Sequence, residues 1–134
     1  MSQMTSLDVN LLDKDCLMEA FREQGYTPIY NEKGQEIHGY GSQKRNANIV
    51  ITAEDFRKIS GGHVYGDIGF EKNKEGYKLH IDHSDQYKFP LNKIKQSYCE
   101  KKLYKEVNND GRYCVESRSV YSKNQIRIRL IQIA

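Results

Sequence analysis

Residues 68–81 read IGFEKNKEGYKLHI, with apolar letters on alternate positions either side of a turn signal. Ile68 and Phe70 precede Asn73-Lys74-Glu75-Gly76, and Tyr77, Leu79 and Ile81 follow it. Period-two alternation belongs to a strand with one buried face, and a polar, Gly-bearing tetrad between two such runs belongs to a hairpin. A four-residue loop sets Phe70 opposite Leu79 and Ile68 opposite Ile81. A slip of one residue would expose the whole apolar set, so this register constrains the fold more than any other feature of the chain.

The other elements arrange themselves around that hairpin. Residues 4–9 allow a first strand. Asp13 suits the N-cap of a helix, Leu12 and Leu17 are spaced as a hydrophobic staple, and Gly25 suits the position past its end. Residues 26–30 form a strand, with Pro28 indicating an edge. Residues 31–47 are polar and glycine-bearing, a loop with a short strand near Ile37. Residues 49–51 form a compact strand, and Thr52 with Asp55 opens a short helix over 53–59 that ends at Gly61-Gly62. Pro90 suits the first turn of a long helix over 90–107, whose apolar stripe runs Leu91, Ile94, Tyr98 and then drifts to Cys99, Leu103 and Val107. A last hairpin pairs 113–121 with 126–133 and turns at 122–125.

Strands that come mostly in hairpins, with two main helices, give an α+β fold. The expected architecture is an antiparallel sheet carrying both helices on one face, ferredoxin-like or a close variant. A length of 134 residues suits a single domain over 1–134. Only 37% of residues are hydrophobic, but ten tyrosines and four phenylalanines supply a thin core with polar ring edges. The three cysteines have no C-x-x-C spacing, which argues against a zinc or dithiol site and for a reducing compartment. No apolar run is long enough for a membrane helix and no signal pattern opens the chain, so the expected location is soluble and cytoplasmic, or plastid stroma if organellar.

Several stretches taken in order, LDKDCLMEAFREQGYTP, IHGYGSQKRNANIVI, YGDIGFEKNKEGYKL and LNKIKQSYCEKKLYKEVNNDG, resemble the hypothetical chloroplast reading frame thirty-five family. This is a domain-of-unknown-function family of plastids, cyanobacteria and other bacteria. Asp67-Ile68-Gly69-Phe70 followed by Gly76-Tyr77 is the most specific element, and Gln96-x-Tyr98 with Lys102 fits the helical pattern. The chain departs from the family at its opening, Met1-Ser2-Gln3-Met4, and at Asp82-His83, where the family carries a tryptophan; an insertion over 53–62 is a further departure. The resemblance implies an accessory role beside an AAA-type ATPase system and implies no activity.

Chemistry is expected in two places. On the outer face of the first hairpin Glu71 faces Lys78, Gly69 faces His80 with open space above the imidazole, and Asp67 faces Asp82. Two opposed carboxylates call for compensation by a cation, a basic side chain or a shared proton. Asp67, His80 and Asp82, with His83 beside them, are therefore the candidate ligand or metal residues, set against a plain solvated face. On the last hairpin Arg118 is expected opposite Arg129, with Arg127 on the same face, as a candidate site for an anionic partner. Residues 89–134 hold ten Lys/Arg against four Asp/Glu, which supports that second reading.

The remaining signals are weaker. Glycines 61, 62, 66 and 69 precede a strand and lack a following G-K-[ST], so they do not make a phosphate loop, and no cofactor is indicated. Lys102 falls in the apolar arc of the long helix, where snorkelling is favoured over a catalytic amine. Cys99 and Cys114 fit small core positions. With no catalytic constellation in view, the sequence favours a non-catalytic accessory or adaptor protein with a protein partner. The alternatives are a ligand- or metal-binding domain or enzyme on Asp67, His80 and Asp82, and nucleic-acid binding through the basic C-terminal third.

Overall fold

A computed structural model describes residues 4–39, 44–122 and 125–133. The elements run β1 (Met4–Val9), α1 (Lys14–Glu23), β2 (Ile29–His38), β3 (Lys44–Ile51), α2 (Ala53–Ser60), β4 (Ile68–Asn73), β5 (Gly76–Asp82), α3 (Leu91–Asp110), β6 (Tyr113–Ser122) and β7 (Gln125–Gln132). Five strands form one sheet in the order β1-β5-β4-β3-β2, every pair antiparallel, and β6 and β7 form a separate ribbon. β1 and β2 therefore run parallel at opposite edges, with α1 crossing between them. This widened βαβ unit, closed by a meander, is the variant arm of the ferredoxin-like expectation.

The register of β4 and β5 is the one the alternation dictates: Phe70 opposite Leu79, Glu71 opposite Lys78, Gly69 opposite His80. Its apolar face, Ile68, Phe70, Tyr77, Leu79 and Ile81, joins Ile49 and Ile51 of β3 beneath the helices. Leu17, Ala20 and Phe21 of α1, Phe56 of α2, and Ile94 and Tyr98 of α3 cover it. Phe70 meets Phe21 at 5.0 Å and Phe89 at 6.2 Å in tilted ring pairs. Leu12 is exposed, so the staple does not form; Leu11 packs against the core instead.

The sheet's other face has a smaller apolar cluster, Met4, Ile37, Ala47 and Val50. Gly69 permits it. A Cβ there would lie 2.6 Å from Ile37 Cδ1 and 2.7 Å from Ala47 Cβ, so the space expected above His80 is filled by the β2–β3 hairpin folding across the sheet. The polar segment read as loop is thus largely strand. A register shift between Tyr30 and Gln35 accommodates Gly34 (φ 87°), and the Asn48 amide bridges the gap by donating to the Asn31 and Glu32 carbonyls. Asn48 also accepts from Lys72 N–H, pinning β4 to the same point. An edge strand needs no apolar alternation, which is why periodicity missed it.

Helix α3 is twenty residues long and faces two ways. Tyr98, Lys102 and Lys105 meet the start of α1, where the Asp13 N–H donates to the Tyr98 hydroxyl at 2.9 Å and Lys105 Nζ lies 2.6 Å from Asp13 Oδ2. Lys102 reaches the same oxygen at 3.3 Å. Glu100, on another side, pairs with Arg118 of β6. The arm of β6 and β7 thus stands on α3 rather than on the main sheet. Its tip residues Lys123 and Asn124, part of the expected turn, lie outside the described residues.

Candidate functional site

The outer face of the main sheet brings three strands together at His80. Ser6 on β1 is the cross-strand partner of His80 on β5, and Glu71 lies on β4 beyond it. Ser6 Oγ is 2.8 Å from His80 Nδ1, and His80 Nε2 is 2.9 Å from Glu71 Oε1. The imidazole is 3% exposed, whereas Ser6 is exposed and Glu71 is partly so. A carboxylate only accepts, so in the neutral ring Nε2 carries the hydrogen and Nδ1 presents its lone pair to the serine hydroxyl. Glu71 faces Lys78 in register, but its carboxylate goes to the histidine.

Asp67 does not oppose Asp82. β4 begins at Ile68, and the Asp67 carboxylate accepts from Ala53 N–H at 2.8 Å and His38 N–H at 3.3 Å, closing the start of α2 against the end of β2. Asp82 faces Met4 of β1 instead. It is fully buried; Oδ1 accepts from Ser84 N–H at 2.9 Å and Oδ2 has no hydrogen-bond partner. Asp85 is also fully buried, and its carboxylate accepts from the Tyr65 and Gly66 N–H groups. Burial pushes the Asp85 carboxyl above its ordinary value, those two N–H groups oppose the shift, and the Asp82 charge adds to it. His83 is exposed, its ring 5.8 Å from that of Tyr87. Among the described residues no three His, Cys, Asp or Glu side chains are grouped to hold a metal ion.

The expected arginine cluster on the last hairpin is split. Ser122 and Gln125, expected in the turn, pair with each other, and an irregularity between Val120 and Ser122 moves the register by one, so Arg118 faces Ile128 and Arg129 faces Ser117. Arg118 accordingly turns to α3 and Glu100, which holds its guanidinium even more firmly protonated. Arg127 and Arg129 lie on the opposite face of the ribbon, with Arg129 Nε 3.9 Å from Glu116.

The ribbon's apolar residues are incompletely covered. Val120 is 68% exposed and Ile133 59%, with Leu130 and Ile131 also exposed. Between α3 and β7 runs a groove of about 760 Å³ lined by Gln96, Cys99, Leu103, Ile126, Arg127 and Ile128. Cys99, expected in the core, is exposed at this groove.

A family model described as a protein of unknown function, DUF1257, matches residues 20–129. The chain belongs to the DUF1257 family. No curated protein and no solved structure matches it. The DUF1257 match runs from α1 into β7 and so takes in His80, Glu71 and most of the arm, while Ser6 lies outside it. Among the described residues of this family member no helix is long and apolar enough to cross a membrane.

Sequence reasoning found His80 but missed Ser6 and Glu71 as its partners. The β1–β5 pairing that brings Ser6 to the ring joins residues 74 positions apart, and no local pattern announces it.

Proposed function

We propose that this chain is a soluble, cytoplasmic accessory protein that docks on a protein partner through the β6–β7 arm, and that the partner segment is an extended, acidic strand. The observation that carries the reading is the arm itself. A two-stranded ribbon is marginal alone, and this one packs chiefly on α3 while keeping apolar side chains in water. Each strand of the ribbon has the other as its one ladder partner in the sheet, which leaves both long edges as sites for strand addition.

Charge selects the occupant. Arg127 and Arg129 alternate with Ile126, Ile128 and Leu130 along β7, so an added strand alternating acidic and apolar residues matches both faces. A second copy of the chain fits badly: antiparallel β7 pairing about Ile128 would set Arg127 of one copy against Arg129 of the other. A polyphosphate backbone offers charge but nothing for the apolar face. The finer family resemblance, to the plastid and cyanobacterial reading-frame proteins, supports an AAA-type ATPase system as the assembly in which such a partner resides.

Fluorescence anisotropy with two synthetic peptides tests the reading, one alternating Glu and Val, the other alternating Lys and Val. Saturable binding of the Glu peptide alone, weakening with added salt, is expected. Equal binding of both peptides, or of neither, or preference for single-stranded nucleic acid, would overturn it.

A further inference from the structure

The Ser6–His80–Glu71 chain lies on the five-stranded sheet and shares no residue with the arm. We propose that Ser6 is a nucleophile activated by His80, and that it takes an acyl group from an activated ester. The arrangement has the three parts that acyl transfer to serine requires: a hydroxyl, a base within hydrogen-bond reach, and an acceptor that orients the base. Here the ring is used through Nδ1 rather than Nε2, but the logic is the same. Glu71 at 2.9 Å fixes the hydrogen on Nε2, and that assignment leaves Nδ1 bare, 2.8 Å from Ser6 Oγ.

Burial supports a base rather than a casual contact. His80 is 3% exposed and lies across from Gly69, whose face is filled by Ile37 and Ala47, and the ring is held between Ser6 and Glu71. Ser6 itself is exposed on β1, the edge strand, where a substrate carbonyl can approach from solvent. β1 has one ladder partner in the sheet, β5, and alternate N–H groups along such an edge point away from the sheet.

The step balances without any co-reactant. Ser6 Oγ forms a bond to the ester carbonyl carbon as its proton passes to His80 Nδ1. The C–O bond to the leaving group breaks, and the leaving alkoxide takes that proton. Glu71 touches neither substrate nor leaving group; it is a positioning residue that also steadies the transient imidazolium. General-base assistance of this kind is worth about 10²–10⁴ in rate. The edge N–H groups are open to water and less preorganised than an oxyanion hole, each donor of which is worth about 10²–10³. Attack by water on the acyl-serine shares that shortfall, so the adduct accumulates.

The test is covalent. The full chain is incubated with a fluorophosphonate probe and, separately, with p-nitrophenyl acetate, and modified peptides are located by mass spectrometry. One adduct on Ser6 is expected, absent in Ser6→Ala. Glu71→Gln, at a partly exposed position, should leave the melting temperature unchanged and slow labelling by at least about tenfold. A purely structural bridge would leave the labelling rate unaffected. No adduct on Ser6, labelling no faster than at other surface serines, or an unaltered rate in Glu71→Gln overturns the proposal.

Discussion

The Tyr98 hydroxyl accepts the Asp13 backbone N–H at 2.9 Å, joining the middle of α3 to the cap of α1. Asp13 serves both helices: its Oδ1 accepts from Cys16 N–H at 3.1 Å, while its Oδ2 meets Lys105 and Lys102. Lys102 is thus a partner in a helix–helix clamp rather than a catalytic amine.

That clamp predicts an acid dependence. The Lys105 hydrogen bond, foremost, holds the Asp13 carboxyl well below the usual carboxylate range, with burial opposing. The folded-state value is depressed, so its stabilisation is complete above the unfolded value of roughly 4 and fades as pH falls towards the folded one. Asp13→Asn keeps a competent cap and should cost under about 1 kcal/mol at neutral pH, since the lysines are largely solvated. Asp13→Ala also loses the cap and should cost about 1–2 kcal/mol. Denaturant melts of wild type and Asp13→Asn at several pH values should converge below pH 4; a gap that widens there would contradict this account.

Gly69 predicts an overpacking penalty with a rescue. Gly69→Ala places a methyl 2.6 Å from Ile37 Cδ1 and should cost about 1–3 kcal/mol. Ile37→Val removes that Cδ1 atom, so the double variant should be less destabilised than the two single changes added together. Simple additivity in urea melts would show that the two residues are not packed as described.

The β4–β5 register and both short-range caps were legible because each rests on local chemistry: alternation across a tight turn, Asp13 three residues before Cys16, Thr52 three before Asp55. The glycine opposite His80 was also legible, but not what fills its face, since Ile37 comes from a hairpin with no apolar alternation. Register in β6–β7 failed for a physical reason. One irregular residue near the tip reverses which face each later side chain takes, and no letter between Val120 and Ser122 marks it. The same limit hid the Arg118–Glu100 and Ser6–His80 contacts, which depend on elements meeting across the fold.

The buried Asp85 predicts a large loss on truncation. Its carboxylate takes the N–H groups of Tyr65 and Gly66, at 2.9 and 3.2 Å from Oδ2, and Gly66 is itself buried. Asp85→Ala leaves these donors without an acceptor and should cost about 2–4 kcal/mol by thermal or urea melting. A change below about 0.5 kcal/mol would mean that the 63–67 segment is held by other contacts.

The docking proposed for the β6–β7 arm admits the most direct measurement. Arg127→Glu together with Arg129→Glu reverses the charge on one face of β7 while leaving its apolar residues in place. Measured by anisotropy, the double variant should lose the Glu-Val peptide and gain the Lys-Val peptide, with its melting temperature close to that of wild type. A variant that melts normally and keeps the wild-type preference would contradict docking of an acidic strand on the arm.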